Sequence, residues 1–326
     1  MWWRRSRLLS DSILKQRILL NSAYTRGANI EQALDLMGLP APLPGKIDYL
    51  VDGREFFPAL YRSIDQAKQR IDTQVFIFDN DDVATQYADR LKKRSRDIQC
   101  RVLMDRLGSI SSWWTAPETP LPKNFQPPSS MPHYLMKDSR VKARVSQNPW
   151  LVSDHSKIIL IDGEEAYLGG MNIGREYRYE WHDLMVRVRG PITTELQNHF
   201  NYSWRLQGLW GDWSMPFYRK LKPDLGATEA GHYPIRLLRT SPARAEIEEA
   251  LLAAIRMSRK RIYLQNSYVT SELLLQELLD ARNRGVEVNF IFPETNDSKL
   301  MSIANRRFAA TLLKLNCNVY AYPKFS

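Results

Sequence analysis

The chain has 326 residues, and its 46 basic and 36 acidic side chains leave a formal net charge of +10 at pH 7. With 44% apolar and 25% charged residues, the composition is that of a globular protein, which excludes the disordered and fibrous classes. Only two cysteines are present, Cys100 and Cys317, so a disulfide framework is excluded and a reducing compartment with structural thiols is favoured.

Residues 1–47 predict a basic, amphipathic helical segment. Leu8, Leu9 and Ile13 open a series of apolar residues at helical spacing, and two tryptophans precede them. Such a helix lies in a lipid interface or packs on the protein's own core, and the sequence favours neither. No run approaches about 18 apolar residues, so no membrane-spanning helix is expected. The prolines from Pro40 onward end the segment.

Alternating helices and strands follow from residue 48 onward. Apolar spacing predicts a helix over 56–71, a strand over 73–78, a helix over 83–94 and a strand over 100–104. The same order returns about 190 residues later, with helices over 247–258 and 273–282 and strands over 261–265 and 285–292. This internal duplication predicts an α/β protein with two pseudo-symmetric lobes, each a mixed sheet flanked by helices.

Two stretches between the repeats are unusual in composition. Residues 109–133 contain six prolines together with Trp113 and Trp114, and they predict an irregular loop. Residues 199–218 contain seven aromatic side chains. An aromatic surface near a membrane interface would explain both stretches, and so would packing inside the protein.

Residues 154–172 contain the side chains that indicate a chemical reaction. The apolar run Ile158–Ile161 predicts a buried strand, at whose start His155 and Lys157 point to one face, and Asp162-Gly163 predicts a hairpin turn. A neutral imidazole is a nucleophile near pH 7, and a lysine ammonium stabilises phosphate oxygens, so the pair suits attack on a phosphate. On its own, His-x-Lys is better explained by a pair of charged residues at a strand entrance.

The longer pattern resembles the signature of the phospholipase D superfamily. His155-x-Lys157, Asp162 and Gly169-Gly170-x-Asn172 match H-x-K-x(4)-D-x(6)-G-G/S-x-N without departure. The segments 170–177, 181–183 and 188–191 are similar to bacterial cardiolipin synthases. The resemblance runs from about residue 48 to the C-terminus and implies a phospholipase D-like fold, with no metal and no other cofactor.

Site roles are implied by this resemblance. His155 would be a catalytic histidine, either the nucleophile or the acid that protonates the leaving group, and Lys157 and Asn172 would hold phosphate oxygens. Asp162 belongs to the signature, although its turn position suggests that it mainly fixes the loop. Asp183 lies where the family places a carboxylate that orients the histidine. The alternative for Asp183 is an ordinary carboxylate at the start of a strand.

The family uses two such motifs, one in each lobe, and this sequence contains one. Leu312-Leu313-Lys314 aligns with Leu135-Met136-Lys137, which would place a second motif just beyond Ser326. We therefore expect an N-terminal segment (1–47), a first lobe with the motif (48–220) and a second lobe (221–326) truncated before its own. A homodimer that pairs two copies of the single motif is the alternative.

The sequence thus predicts a phosphatidyltransferase similar to cardiolipin synthases, acting through a phosphohistidine. Anionic phospholipid, in particular phosphatidylglycerol, would be the substrate, and the protein would lie peripherally on the cytoplasmic face of the cell membrane. A phospholipase D-type phosphodiesterase acting on lipid or nucleic acid, and a non-catalytic membrane-binding remnant, are the alternatives. Nucleic acid is disfavoured because no basic tract with interleaved aromatics accompanies the motif.

Overall fold

The computed structural model describes residues 29–114, 117, 119–146, 154–208, 213, 216, 218–225, 233–241, 244–295 and 298–323. Pro42–Ile235 form a first unit, and the described residues before and after this range form a second unit. These bounds differ from the lobes expected at residues 48 and 221. The reason is that the strands Leu43–Val51 and Tyr233–Ile235 pair with each other and extend the sheet of the first unit.

The described helices and strands follow the alternation that the sequence predicts. In chain order they are α1 (Ile30–Leu36), β1 (Leu43–Val51), α2 (Asp52–Gln66), β2 (Arg70–Val75), α3 (Asp82–Arg94), β3 (Gln99–Asp105), α4 (Arg106–Ser112), α5 (Met131–Met136), β4 (Lys142–Ser146), β5 (Ile158–Ile161), β6 (Glu165–Gly169), α6 (Arg175–Tyr179), β7 (Leu184–Arg189), α7 (Ile192–Leu206), β8 (Tyr233–Ile235), α8 (Glu246–Met257), β9 (Arg261–Gln265), α9 (Glu272–Asn283), β10 (Glu287–Pro293), α10 (Lys299–Lys314) and β11 (Asn318–Tyr322).

The first unit is built on one mixed sheet with the order β4-β3-β2-β5-β6-β7-β1-β8. β2, β3 and β4 are parallel, whereas each pair from β2–β5 to β1–β8 is antiparallel. Phe56, Leu60 and Ile64 of α2 recur at helical spacing and are fully buried in its core. β5 pairs with a strand on each side, so the residues just before it are attached to a rigid element.

The second unit repeats the parallel half of that sheet. Its described strands are parallel in the order β11-β10-β9, and β10 pairs with β9 and β11 as β3 pairs with β2 and β4. Leu278, Phe290 and Leu312 are buried between this sheet and its helices. The fold is therefore α/β, and the duplication predicted from the sequence is present in the strand order.

Two local predictions need correction. Residues 1–28 of the predicted N-terminal segment lie outside the described residues. Residues 43–47, which we placed at the end of that segment, begin the strand β1. Pro44 is accommodated there because it pairs with β8 at the edge of the sheet. The predicted loop 109–133 contains part of α4 and the start of α5, whose first turn accepts Pro132. Among the described residues, no helix is long and apolar enough to cross a membrane.

For two residues of the aromatic stretch 199–218, the structure decides between a membrane-facing surface and packing inside the protein. Phe200 and Trp204 are buried on α7, with rings stacked at 5.9 Å and the guanidinium of Arg101 beside both of them. Packing therefore explains these two residues, whereas Trp213 is 86% exposed. Cys100 and Cys317 are free and buried, as expected of structural thiols.

Candidate active site

The hairpin of β5 and β6 positions the motif. β5 spans the predicted Ile158–Ile161 and pairs antiparallel with β6. Asp162 and Gly163 form the turn between them with φ values of 56° and 77°, a conformation that aspartate and glycine tolerate better than other residues. His155 and Lys157 therefore precede β5 at the end opposite the turn.

His155 and Lys157 lie in direct contact. Lys157 Nζ is 3.0 Å from His155 Nδ1 and 3.2 Å from Nε2, and it donates to the His155 carbonyl oxygen at 2.8 Å. The imidazole is exposed, and its ring lies 4.4 Å from the Phe76 ring. Because an ammonium carries three protons, Lys157 retains donor capacity for a phosphate oxygen.

The electrostatics of this pair favour a neutral imidazole beside an easily deprotonated lysine. Lys157 is only 4% exposed, and burial lowers its pKa to about 8, opposed by the carboxylates of Asp183, Asp154 and Asp105 in that order. Desolvation and then the Lys157 charge lower the pKa of His155. A neutral imidazole is the nucleophilic form, so the arrangement suits reaction at neutral pH.

A carboxylate network next to the pair was not predicted from the sequence. The Asp154 carboxylate accepts hydrogen bonds from Gln74 Nε2 at 2.7 Å and from the Ser156 amide at 3.0 Å. The Asp154 amide donates to Asp105 Oδ2 at 3.2 Å, which also accepts from Ser146 Oγ. The one sequence signal for this network is the position of Asp105, which ends a buried parallel strand where functional groups collect in α/β proteins.

Asn172 is held on both sides of its amide. Its Oδ1 accepts from the Ile77 amide at 2.8 Å, and its Nδ2 donates to Tyr177 Oη at 2.8 Å. The side chain is 2% exposed, so its orientation is determined by these two contacts. One Nδ2 proton has no role in them, so it stays available as a donor. That it holds a phosphate oxygen stays a prediction.

Asp183 lies beside Lys157 and forms no hydrogen bond to His155 in the described part of the chain. Its carbonyl oxygen accepts from the Asp52 amide at 2.8 Å, and its Oδ1 accepts from the Leu184 amide at 2.7 Å. Burial raises the pKa of Asp183, and Lys157 opposes that shift. Gly170 makes room for the carboxylate, because a Cβ there would lie 2.1 Å from Asp183 Oδ1.

Asp162 lies at the turn, apart from the other motif residues. Its Oδ1 accepts from the amides of Gln69 and Arg70 at 2.7 and 2.9 Å, and its Oδ2 accepts from the Lys68 amide at 2.8 Å. The carboxylate therefore ties the hairpin to the start of β2. These are the contacts that a loop-fixing role for Asp162 requires, and that role stays a prediction.

Fold and site together define a phospholipase D-like protein. A family model described as "Cardiolipin synthase, PLD-like domain" matches residues 60–204 and 251–326. The match covers more than half of the chain, so the chain belongs to this family.

Curated relatives carry the same name. The chain is similar to cardiolipin synthase A of Salmonella paratyphi A, at 28% identity over 87% of this chain and 59% of that protein. Its identity to cardiolipin synthase A of Buchnera aphidicola subsp. Acyrthosiphon pisum is 30%, over 86% of this chain and 58% of that protein. The chain thus spans less than two thirds of the length of these relatives.

A solved structure supports the fold. The crystal structure of phosphatidylserine synthase from Haemophilus influenzae Rd KW20 superposes with a TM-score of 0.59 and covers 91% of this chain and 79% of that chain. The sequence identity is 12%, so this likeness concerns the fold alone.

Proposed function

We propose that this chain is the phosphatidyltransferase part of a cardiolipin synthase-like enzyme, with phosphatidylglycerol as substrate. The observation that carries the proposal is the contact between the exposed His155 imidazole and the buried Lys157 ammonium, at 3.0 Å. Membership in the cardiolipin synthase family supports the choice of substrate class. Asn172, held on two sides, supplies a second donor for the phosphate.

The exchange proceeds in two displacements. A histidine nitrogen attacks the phosphorus of one phosphatidylglycerol, an N–P bond forms, and the P–O bond to glycerol breaks as glycerol takes up a proton. The hydroxyl of a second phosphatidylglycerol then attacks, gives up its proton, and breaks the N–P bond to yield cardiolipin. His155 serves as the nucleophile or as the group that exchanges these protons. Lys157 and Asn172 stabilise the charge on the phosphate oxygens.

The positive charge of the chain supports a place at a membrane surface. A net charge of +10 favours contact with anionic lipid, and this attraction acts over about 8 Å at physiological ionic strength. We propose peripheral association with the cytoplasmic face of the cell membrane. Water as acceptor instead of a lipid hydroxyl would make the same site a phosphodiesterase, and the experiment below separates the two.

The test is incubation with phosphatidylglycerol vesicles, with lipid products and glycerol measured together. Equimolar cardiolipin and glycerol are expected from the wild type in a homodimer that pairs two copies of the motif, and His155→Ala is expected to remove both products. His133→Ala is the matched control, since His133 is an exposed histidine on α5 and lies outside the motif. Phosphatidic acid in place of cardiolipin would indicate a hydrolase. Vesicle binding without any product would indicate a non-catalytic remnant.

A further inference from the structure

The short helix α4 presents its apolar side chains to solvent. Leu107 is 46% exposed, Ile110 is 38% exposed, and Trp114, just after the helix, is 86% exposed. By contrast, Gly108 and Ser109 are buried. A helix of a globular protein normally turns its apolar side chains toward the core, so α4 has the reverse polarity.

The inward side of α4 is adapted to this orientation. A Cβ at Gly108 would lie 2.6 Å from the Phe76 carbonyl oxygen and 2.8 Å from its ring, so a larger side chain does not fit. Ser109 Oγ donates to the Phe76 carbonyl oxygen and accepts from the Phe78 amide. Trp113 Nε1 donates to the Phe78 carbonyl oxygen at 2.8 Å. These contacts hold α4 firmly with its apolar residues outward.

The same contacts connect α4 to the candidate active site. The Phe76 ring that packs beneath Gly108 lies 4.4 Å from the His155 ring. Asp105, the residue before α4, accepts a hydrogen bond from the Asp154 amide. One aromatic ring therefore contacts both the inward side of α4 and the imidazole of His155.

Charge and side-chain type indicate what covers this face. Arg106 is exposed beside Leu107, and the chain as a whole carries +10, both of which suit an anionic surface. Tryptophan and leucine beside a basic residue are typical of segments that rest at a bilayer interface. We propose that the face formed by Leu107, Ile110 and Trp114 docks on a phospholipid bilayer that contains anionic lipid, beside the His155–Lys157 pair.

The function of this face follows from its position. When the side chains enter the boundary between headgroups and acyl chains, the site next to Phe76 comes to lie at the level of the lipid phosphates. A phosphodiester then reaches His155 without leaving the membrane. This part of the inference rests on the proposed function, whereas the docking itself does not require turnover.

The test compares two double variants of the full chain in vesicle co-sedimentation. Leu107→Ser/Ile110→Ser removes the apolar face, and Leu300→Ser/Ile303→Ser is the matched control, because these α10 residues have the same spacing and are 68% and 64% exposed. With vesicles of phosphatidylcholine and phosphatidylglycerol, the first variant is expected to lose about tenfold or more in partitioning. The control is expected to bind as the wild type does.

Two further measurements separate this inference from the proposed function. Turnover of a short-chain phosphatidylglycerol kept monomeric in solution is expected to be the same in the first variant and the wild type. Absence of turnover in the wild type and in both double variants would contradict the proposed function. Vesicle binding would still test the docking in that case. Equal loss in both variants, or unchanged vesicle binding, overturns the docking proposal. If Leu107→Ser/Ile110→Ser converted a dimer to a monomer without changing vesicle binding, the docking proposal would be overturned and the face would instead contact a second copy of the chain.

Discussion

The hairpin of β5 and β6 has residues of one motif at both of its ends, and the two ends differ in burial and hydrogen bonding. At one end, Lys157 is buried with its pKa lowered to about 8 and contacts an exposed imidazole. At the other end, Asp162 accepts three backbone hydrogen bonds and lies in a turn with positive φ. At the first end a desolvated ammonium contacts an exposed imidazole, whereas at the second end the carboxylate is held by three backbone amides.

This difference separates reactivity from stability within a single signature. A desolvated cation beside a neutral base is costly to the fold and useful for binding an anion. A carboxylate that holds three amides stabilises the fold and has little capacity left for a substrate. We infer that His155 and Lys157 perform the chemistry and that Asp162 keeps the strand that carries them in register.

The largest expected effect is on stability at the turn. Asp162→Ala removes the acceptor of three amides, and alanine does not tolerate the positive φ of this position as aspartate does. We therefore expect a loss of about 3 kcal/mol in the free energy of unfolding. Asp162→Asn is the matched control, since asparagine tolerates this conformation and keeps one acceptor, and it should lose about 1 kcal/mol. Urea unfolding measures both. A stable Asp162→Ala protein would mean that the turn does not hold the hairpin.

A smaller effect, on the pKa of Lys157, tests the role of Asp183. The Asp183 carboxylate raises the pKa of Lys157, so Asp183→Asn should lower that pKa below about 8 and reduce the charged fraction at pH 8. The His155 titration should stay in place, because Asp183 forms no hydrogen bond to the imidazole in the described part of the chain and is not among the charges that shift its pKa. NMR titration of the lysine and histidine side chains measures both groups. A shift of His155 in this variant would favour the expectation that Asp183 orients the imidazole.

The smallest expected effect concerns Asp154. Its carboxylate raises the pKa of both Lys157 and His155, so Asp154→Asn should lower both values. The shift of Lys157 should be smaller than in Asp183→Asn, because Asp183 exerts the larger effect on Lys157. The same NMR titration provides the comparison. A variant in which only Lys157 moves would place Asp154 outside the environment of the imidazole.

Elements with strong local patterns could be predicted from the sequence. The run Ile158–Ile161 and the Asp162-Gly163 turn occur where the pattern puts them, because apolar period and turn chemistry are local properties. The sequence also predicts that His155 and Lys157 lie on one side of the chain, and their side chains are in contact just before β5. The repeat of β2-β3-β4 as β9-β10-β11 follows from matching hydrophobic phase.

Features that depend on distant residues could not be predicted in this way. β1 is a strand because it pairs with β7, whose residues lie more than 130 positions away, for example Lys46 with Arg189. The outward apolar face of α4 depends on the Phe76 ring beneath Gly108. Local propensity contains no information about either partner, and tertiary contacts override it.

The central claim is that one end of the β5–β6 hairpin binds the anion and the other end stabilises the fold. Its most direct test measures phosphate binding and unfolding in the same pair of variants. Lys157→Met should lose about tenfold or more in affinity for inorganic phosphate without a loss of stability, because a buried cation is replaced by an apolar side chain of similar size. Asp162→Ala should lose stability and, under conditions where it is folded, bind phosphate as the wild type does. Loss of phosphate binding in a fully stable Asp162→Ala protein, with Lys157→Met unaffected, would contradict the account.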